Sequence, residues 1–537
     1  MDPNRTIPII VGVTGHRVLR DDDIPALRNA VKQELRKIQA LCPNSRLALM
    51  SCLAEGADML CADVATEMEI SLYVALPMEA EVYSKDFPSA EKVRFQNHCK
   101  HAERVFVTPA IEPEPVEPNR NYLFRQADIY IVNHCHVLFA LWDGGEPKLD
   151  GCGAAETVQF SLVGTYRPLS GITFRSASNE AVIHIFTPRG IHTEEPAGTV
   201  HVLGNEEAFK DIIIKTDHFN KMALAVQTRN RRLLPEDHEE HSDPILRHME
   251  KIYRVSDDLS VEAAERYRRI LKLLAVASTV ITMAFLLYDE AEATWMILVC
   301  GAILFGSWVC HKYAVQTDCH NQYIEYRVLA EAIRVQAYLR YSGSALQVAN
   351  ILPWTQQEET AWIVDALCTI NVGPNPQIKK KIKECWIDQQ RDYHKDAYAR
   401  TKKHNFYNER IVKIALFGSV FLYVCALLFE LAYGGLLYEP IAVLDNVEMY
   451  RTILKIVLGT VSAATIFAAN FYGKLSPQRK LSDHVKMQHF YEKMGKLIDK
   501  DNIGQNDELL TVLAREELIE NGNWCSYQRD NTPDISL

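Results

Sequence analysis

The chain lacks the clustered cysteines of a zinc module. Its thirteen cysteines are scattered, with no C-x-x-C pair and no cysteine–histidine group at metal-ligating spacing. Several of them, Cys300, Cys310 and Cys425, lie inside apolar runs and read as reduced thiols. A basic excess is also missing: the formal net charge is −11, so no global attraction draws the chain to a nucleic-acid polymer, and a small ligand is the simpler expectation. The opening residues, Met1 to Thr6, are polar and carry none of the regions of a secretory leader, so the amino terminus is expected to stay in the cytosol. The G-x-G-x-x-G dinucleotide fingerprint is absent too, which disfavours a nicotinamide dehydrogenase.

Long apolar runs, by contrast, are plentiful in the second half. Four stand out, Ile270 to Tyr288, Ala293 to Cys310, Ile414 to Ala432 and Ile456 to Gly473. A helix rises about 1.5 Å per residue, so a run of about 19 residues reaches roughly 28 Å, close to the thickness of a bilayer's hydrocarbon core. Basic residues flank the pairs on one side: Arg266, Arg268, Arg269 and Lys272 before the first run, His311 and Lys312 after the second. Lys402, Lys403, Arg410 and Lys413 precede the third, and Lys474, Arg479 and Lys480 follow the fourth. The turn between the first two runs, Asp289-Glu290-Ala291-Glu292, is acidic. Counting basic residues therefore puts both termini and the segment from about 313 to 410 in the cytosol, with Arg451 and Lys455 running against the rule. Cytosolic helices are expected over Asp318 to Tyr341 and Lys480 to Asp499, the first with Tyr326, Leu329, Ile333 and Ala337 at helical spacing. Within the runs, small residues four apart (Ala302 and Gly306, Gly459 and Ala463, Thr460 and Ala464) permit close helix approach or line a narrow pore. Glu430 is the one carboxylate embedded in an apolar run.

The first half alternates strands with helices, the pattern of a parallel sheet covered on both faces. Strands are expected at Ile9 to Val13, Arg46 to Cys52, Ile70 to Leu76, Arg104 to Val107, His136 to Leu141 and Ala181 to Phe186. In such sheets ligands sit beyond the carboxyl ends of the strands, where helix amino termini present N–H groups to phosphate. Glycines and polar residues collect there. Gly15 permits close backbone approach or positive φ, His16 caps or contacts a ligand, and Arg17 offers a fork of donors suited to phosphate. At the second strand end Gly56 repeats the glycine, Glu55 is placed to accept from ribose hydroxyls, and Asp58 either opens a helix or faces the site. Gly151-Cys152-Gly153-Ala154-Ala155-Glu156 is a further glycine loop leading into a helix.

The runs GVTGHR, LAEGADMLCADVA, ALPMEAEVYSKDF and GCGAAE, in that order over about 190 residues, resemble the SLOG family of Rossmann-like domains, which includes sensors of nucleotide-derived messengers and a branch of nucleotide-processing hydrolases. The paired apolar runs and the tail LLTVLAREELIENGNWCSYQR resemble SLATT domains, two-span membrane modules that accompany SLOG domains in bacterial conflict systems. The resemblance implies a Rossmann-like α/β parallel sheet over 1–190, a cytosolic helical connector over 191–265, and an all-α four-transmembrane-helix domain with long cytosolic helices. That domain comprises a two-span unit over 266–345, a connector over 346–400 and a second two-span unit over 401–537. It also implies an antiphage effector of the bacterial inner membrane. A messenger, either a cyclic oligonucleotide or an ADP-ribose derivative made by a separately encoded enzyme, would rearrange a homo-oligomer and permeabilise the bilayer. Carried over by motif, the ligand pocket falls on Gly15, His16, Arg17, Glu55, Gly56, Asp58, Tyr83, Asp86, Trp142, Asp143, Gly151, Gly153 and Glu156. In that pocket Tyr83 stacks on a base and Asp86 bonds a ribose or base edge, or both anchor their loop. No cofactor, metal or catalytic residue is expected. The hydrolase branch carries P-G-G-x-G-T-x-x-E, whereas here no proline precedes Gly151 and Ala154-Ala155 replaces the Gly-Thr pair. The alternatives are a membrane-anchored nucleoside-phosphate hydrolase using Glu156 and a constitutive channel or transporter with a nucleotide-binding regulatory domain.

Overall fold

The computed structural model describes residues 5–111, 119–147, 153–163, 181–190, 195–229, 232–234, 243–374, 382–433, 446–474, 477–501 and 507–530. The strands are β1 (Ile9–Gly15), β2 (Leu47–Ser51), β3 (Ser71–Leu76), β4 (Arg104–Val107), β5 (Val137–Trp142), β6 (Ala181–Phe186) and β7 (Val200–Gly204). Among them run α1 (Ile24–Leu41), α2 (Ala57–Glu67), α3 (Ala80–Tyr83), α4 (Ser89–His101), α5 (Arg120–Asn133) and α6 (Ala154–Val163). There follow α7 (Glu206–Ala225), α8 (Pro244–Glu290), α9 (Met296–Thr317), α10 (Cys319–Tyr341), α11 (Val348–Ile351), α12 (Trp354–Glu359) and α13 (Ala361–Ile370). The last are α14 (Gln389–Ala432), α15 (Val447–Lys474), α16 (Pro477–Asp501) and α17 (Asp507–Asp530). The chain divides into two units, each discontinuous in sequence. One is Met1–Leu259 with Glu325–Ile382 and Ile503–Asn523; the other is Ser260–Ile324 with Lys383–Asn502 and Trp524–Leu537.

The first unit is built on a seven-stranded sheet in the order β4-β3-β2-β1-β5-β6-β7. All neighbours pair in parallel except β6 and β7, which are antiparallel with Ile183 opposite Val202. Side chains alternate between the faces of a strand, so an uncharged strand such as β1 fills two cores at once. Ile9, Val11 and Val13 join Leu49, Val74 and Phe139 on one face, while Ile10 joins Met50, Tyr73 and Leu138 on the other. Helix α5, capped by the Asn119 side chain accepting from the Tyr122 N–H, lies against β1 at Gly12. A Cβ there would meet Ile131 Cγ2 and Cys135 Sγ at 2.8 Å, so a glycine is what lets the helix come that close.

The sheet runs past the expected boundary at 190. β7 is a half-exposed edge strand, and the Asn205 side chain caps α7 by accepting from the Ala208 N–H. Helix α7 then places Phe209 and Ile213 in the sheet's core and bonds Ile7 through Asn220. The segment from α11 to Gly373 belongs to the same unit, with the Gly373 N–H donating to Tyr130 Oη at 2.9 Å. The apolar face anticipated on α10 is buried: Tyr326, Leu329, Ile333 and Ala337 are all inside. Charges are buried with it. Arg334 pairs with Glu331 and Glu517, and Arg327 pairs with Asp257 and Glu331.

In the second unit the polarity is reversed. Among the described residues four helices, α8, α9, α14 and α15, carry stretches long and apolar enough to cross a membrane, and almost none of those stretches is buried. Leu298 is 75% and Phe417 72% exposed, as lipid-facing side chains would be. The contacts between helices are small or polar. A Cβ on Gly459 would sit 2.6 Å from Leu286, Ser419 and Thr465 hydroxyls lie 2.9 Å apart, and Cys300 faces the Ile281 carbonyl at 3.8 Å. Glu430 accepts twice from Arg451, at 2.6 and 2.9 Å, and Lys455 donates to Glu290 at 2.8 Å. Each basic residue that defies the charge count thus has a carboxylate partner.

Candidate functional site

A cleft of about 600 Å³ opens beyond the carboxyl ends of the strands. The sheet order places it: β1 leads outward to β2, β3 and β4 on one side, and the chain resumes with β5 and β6 on the other, so the loops after β1 and β5 diverge. The walls come from Thr14 to Arg20 after β1, Cys52, Ala54 and Asp58 around the start of α2, Phe124 and Asp128 of α5, Gly153 and Ala154 at the start of α6, and Pro188 and Arg189 after β6.

Two glycines bring the first two loops together. A Cβ on Gly15 would lie 2.4 Å from Ala57 Cβ and 2.7 Å from the Leu141 carbonyl. Gly56, at φ +84°, passes so near the preceding loop that a Cβ would meet the Arg17 carbonyl at 2.3 Å. The Ala57 N–H donates to the His16 carbonyl at 3.0 Å across this crossing. Both positions therefore serve loop-to-loop packing. Gly153 differs, because open space lies where its Cβ would be, and with Ala154 it brings the amino end of α6 to the cleft.

The cations of the cleft are held in different ways. Arg17 is exposed, its guanidinium 4.6 Å above the Phe124 ring, and among the described residues no carboxylate lies within ion-pair distance of it. Arg189 lies 2.8 Å from His16 Nδ1. The Asp143 backbone N–H points at the other ring nitrogen, Nε2, at 3.0 Å, and Asp143 Oδ1 lies 3.3 Å from it. Burial, then the Arg189 charge, lowers the His16 pKa and keeps the ring neutral.

The acids are more tightly placed. Asp58, 3% exposed, accepts from the Ser51 hydroxyl at 2.7 Å and the Cys52 thiol at 3.3 Å. The Ser51 oxygen in turn accepts from the N–H of Leu53, which is held at φ +55°. Burial pushes the Asp58 carboxyl upward against these donors. Asp128 is half-buried, and burial followed by the charge of Asp58 pushes it up to about 8.

Of the thirteen positions named from sequence, Gly15, His16, Arg17, Asp58 and Gly153 line the cleft. Asp143 stands at its edge through His16, and Gly56 shapes the loop crossing. Glu55 is half-exposed and does not line the cleft. Tyr83 is 2% exposed, with Phe87 and Phe95 edge-on at 4.9 and 5.7 Å, so no ring face is open to a base. Asp86 pairs with Arg120 outside the cleft. Trp142 donates from Nε1 to the Gly145 carbonyl at 3.2 Å and packs on His184. Glu156 is bonded by Arg125. Gly151 lies outside the described residues. Sequence reasoning missed Phe124, Asp128 and Arg189. Asp128 left a signal as a lone acid entering the apolar run Ile129 to Val132, and Arg189 as a cation just beyond the strand Ala181–Phe186. Among the described residues no group of three or more histidine, cysteine or acidic side chains is arranged to hold a metal.

No protein-family model matches the chain, and no curated protein matches it in sequence. The likeness to SLOG and SLATT domains rests on the motifs alone.

Proposed function

We propose that the cleft binds a nucleotide-derived messenger and that binding controls the permeability of a membrane crossed by the four apolar helices. The observation that carries this reading is the placement of an exposed guanidinium, Arg17, without an ion-pair partner among the described residues, and the amino end of α6 at the point where the strand order reverses. That combination suits an anionic ligand bound between diverging loops. The spans belong to the same chain, and α8 is continuous from Pro244 to Glu290, so a cytosolic segment leads without a break into the first span. Four spans with few buried charges enclose no aqueous path on their own, so a pore forms between copies of a homo-oligomer. Gly301, Gly306 and Gly418 have open space where a Cβ would be, which leaves helix faces available to lipid or a second copy. In this reading the protein is an antiphage effector of the bacterial inner membrane, both termini cytosolic, working with a separately encoded enzyme that makes the messenger. A hydrolase using Glu156 is less well supported, because a carboxylate tied to Arg125 is a poor base for water.

The test is the purified full-length protein in dye-loaded liposomes. It stays closed alone and releases dye when a cyclic oligoadenylate or ADP-ribose is added. Equal leak without nucleotide favours a constitutive channel, and tight binding with no leak in any lipid defeats the effector reading.

A further inference from the structure

The two ends of the apolar helices treat their charges differently. At one end ion pairs hold the helices level. Arg451, near the start of α15, bonds Glu430 near the end of α14 at 2.6 and 2.9 Å, and Lys455, one turn on, bonds Glu290 at the end of α8 at 2.8 Å. The acids Asp289 and Glu292 stand exposed beside them. The other end follows from the helical rise of about 1.5 Å per residue. Lys272 lies about 27 Å from Glu290 along α8, Arg410 about 30 Å from Glu430 along α14, and Lys312 about 26 Å from Trp295 along α9, each close to one hydrocarbon thickness. Exposed aromatic rings mark the same two levels, Tyr288 and Trp295 at the first and Tyr313 and Tyr407 at the second.

At this second end the cations are not neutralised. Arg268, Lys272, Lys312 and Arg410 are all exposed, and among the described residues no carboxylate lies within ion-pair distance of any of them. The nearby acids are taken: Glu262, Glu265 and Glu409 face Arg266, Arg269 and Lys413 one turn along their own helices, at 3.4 to 3.7 Å. Arg410 lays the face of its guanidinium over the Phe406 ring, 4.5 Å from the centroid, and stacking of that kind leaves the N–H edge to donate. Lys480 of α16 stands in the field of Arg268; burial, then that charge, lowers its pKa. The counter-charge must come from outside the chain. At the depth of a headgroup layer the anion at hand is a lipid phosphate, which matches the guanidinium fork. A zwitterionic headgroup carries its own cation, so a net-anionic one fits better.

We propose that this end of the helices is a docking surface for anionic phospholipid, its headgroup phosphates held by Arg268, Lys272, Lys312 and Arg410. The proposal rests on the helices crossing a bilayer and is independent of what the cleft binds.

The test titrates the full-length protein in detergent with an equimolar mixture of phosphatidylglycerol and phosphatidylcholine and resolves the bound lipids by native mass spectrometry. Phosphatidylglycerol is expected to be favoured about fivefold at each site that engages a cation. The preference shrinks as salt is raised and disappears in the quadruple variant Arg268→Gln, Lys272→Gln, Lys312→Gln, Arg410→Gln. Removing an ion pair at the first end as a pair, with Lys455→Gln and Glu290→Gln, leaves it in place. Should the quadruple variant not fold, Arg410→Gln alone lowers the preference in part, and the salt dependence needs no variant. Equal binding of the two lipids by the wild type, a preference insensitive to salt, or one that the quadruple variant keeps overturns the proposal and leaves the membrane reading intact. A change in the mass of the assembly without a change in lipid preference assigns the patch to a second copy and overturns it too. Protein that stays soluble without detergent and holds no lipid counts against the spans themselves.

Discussion

The two units solve the same problem, where to put apolar side chains, in opposite directions. In the sheet unit Ile9, Val11, Leu49 and Phe139 are buried, and the buried acids Glu331 and Glu517 are ion-paired to Arg334. In the helical unit Leu298, Phe305, Phe417 and Phe421 point outward, and the contacts between helices include a glycine, a pair of hydroxyls and a thiol. Water drives burial in the first; nothing comparable drives it among helices in hydrocarbon, where close packing and hydrogen bonds hold the elements. The same residue type therefore has a different meaning in each unit.

The all-or-none way to break this contrast is to ask whether the second unit meets lipid. In a background stripped of its native cysteines, a cysteine replacing the exposed Asp289, in the acidic turn after the first span, is expected to react with an impermeant thiol reagent added outside intact cells. A cysteine replacing the exposed Lys403, ahead of the third span, is expected to react only after permeabilisation. Equal labelling of both in intact cells would remove the spans. Gln356, in the segment expected to be cytosolic, is a poor reporter because it is buried.

Glycines sharpen the comparison. Gly56→Val places a branched side chain at φ +84° and against the Arg17 carbonyl, so it should cost at least about 3 kcal/mol and abolish nucleotide binding. Gly418→Val, on a span face with nothing within 4 Å, should change stability by no more than about 0.5 kcal/mol. Thermal unfolding in detergent reads both. Similar losses at the two sites would mean that the Gly418 face is packed. Smaller than the Gly56 effect is that of Arg17→Ala, expected to weaken nucleotide binding roughly tenfold to hundredfold while leaving the unfolding curve in place. Unchanged affinity by calorimetry would take Arg17 out of the site.

How much was legible follows the range of the forces involved. The strand at Ala181–Phe186 coincides with its apolar run because a strand buried on both faces announces itself locally. The spans did so for the same reason. β7 was missed because VHVLG is a half-exposed edge strand with no continuous apolar signal, and the boundary at 190 fell short with it. The discontinuous make-up of the units was hidden, since an amphipathic helix such as α10 displays an apolar face but not its partner. In the site, glycines and charges at strand ends pointed to the right loops. Phe124 and Asp128 enter from a helix face, which strand-end reasoning does not search, whereas Arg189 follows the carboxyl end of β6, a strand end that was expected but not followed. Tyr83 misled because the short helix α3 turns its ring into an aromatic core.

The finest probe of the contrast is on the polar side, where the sheet unit buries charge. Glu520 on α17 lies near Glu331, Glu517 and Arg334; burial first, then the two carboxylates, pushes it from 4.5 up to about 7. Its folded value exceeds its unfolded one, so between about pH 4.5 and 7 the native state holds a proton that the unfolded chain has released. Stability must fall as pH rises through that window and level off above it. Glu520→Gln cannot ionise. It should match the wild type at pH 4 and exceed it at pH 8 by on the order of 1–2 kcal/mol, read from unfolding midpoints across the range. Asp128 contributes its own decline up to about pH 8 in both proteins and cancels in the difference. Parallel curves from pH 4 to 8 would mean that Glu520 is ionised in the folded protein, with Arg334 and Arg327 neutralising the whole acidic group. The sheet unit would then tolerate full buried charge, a stronger form of the difference between the two units.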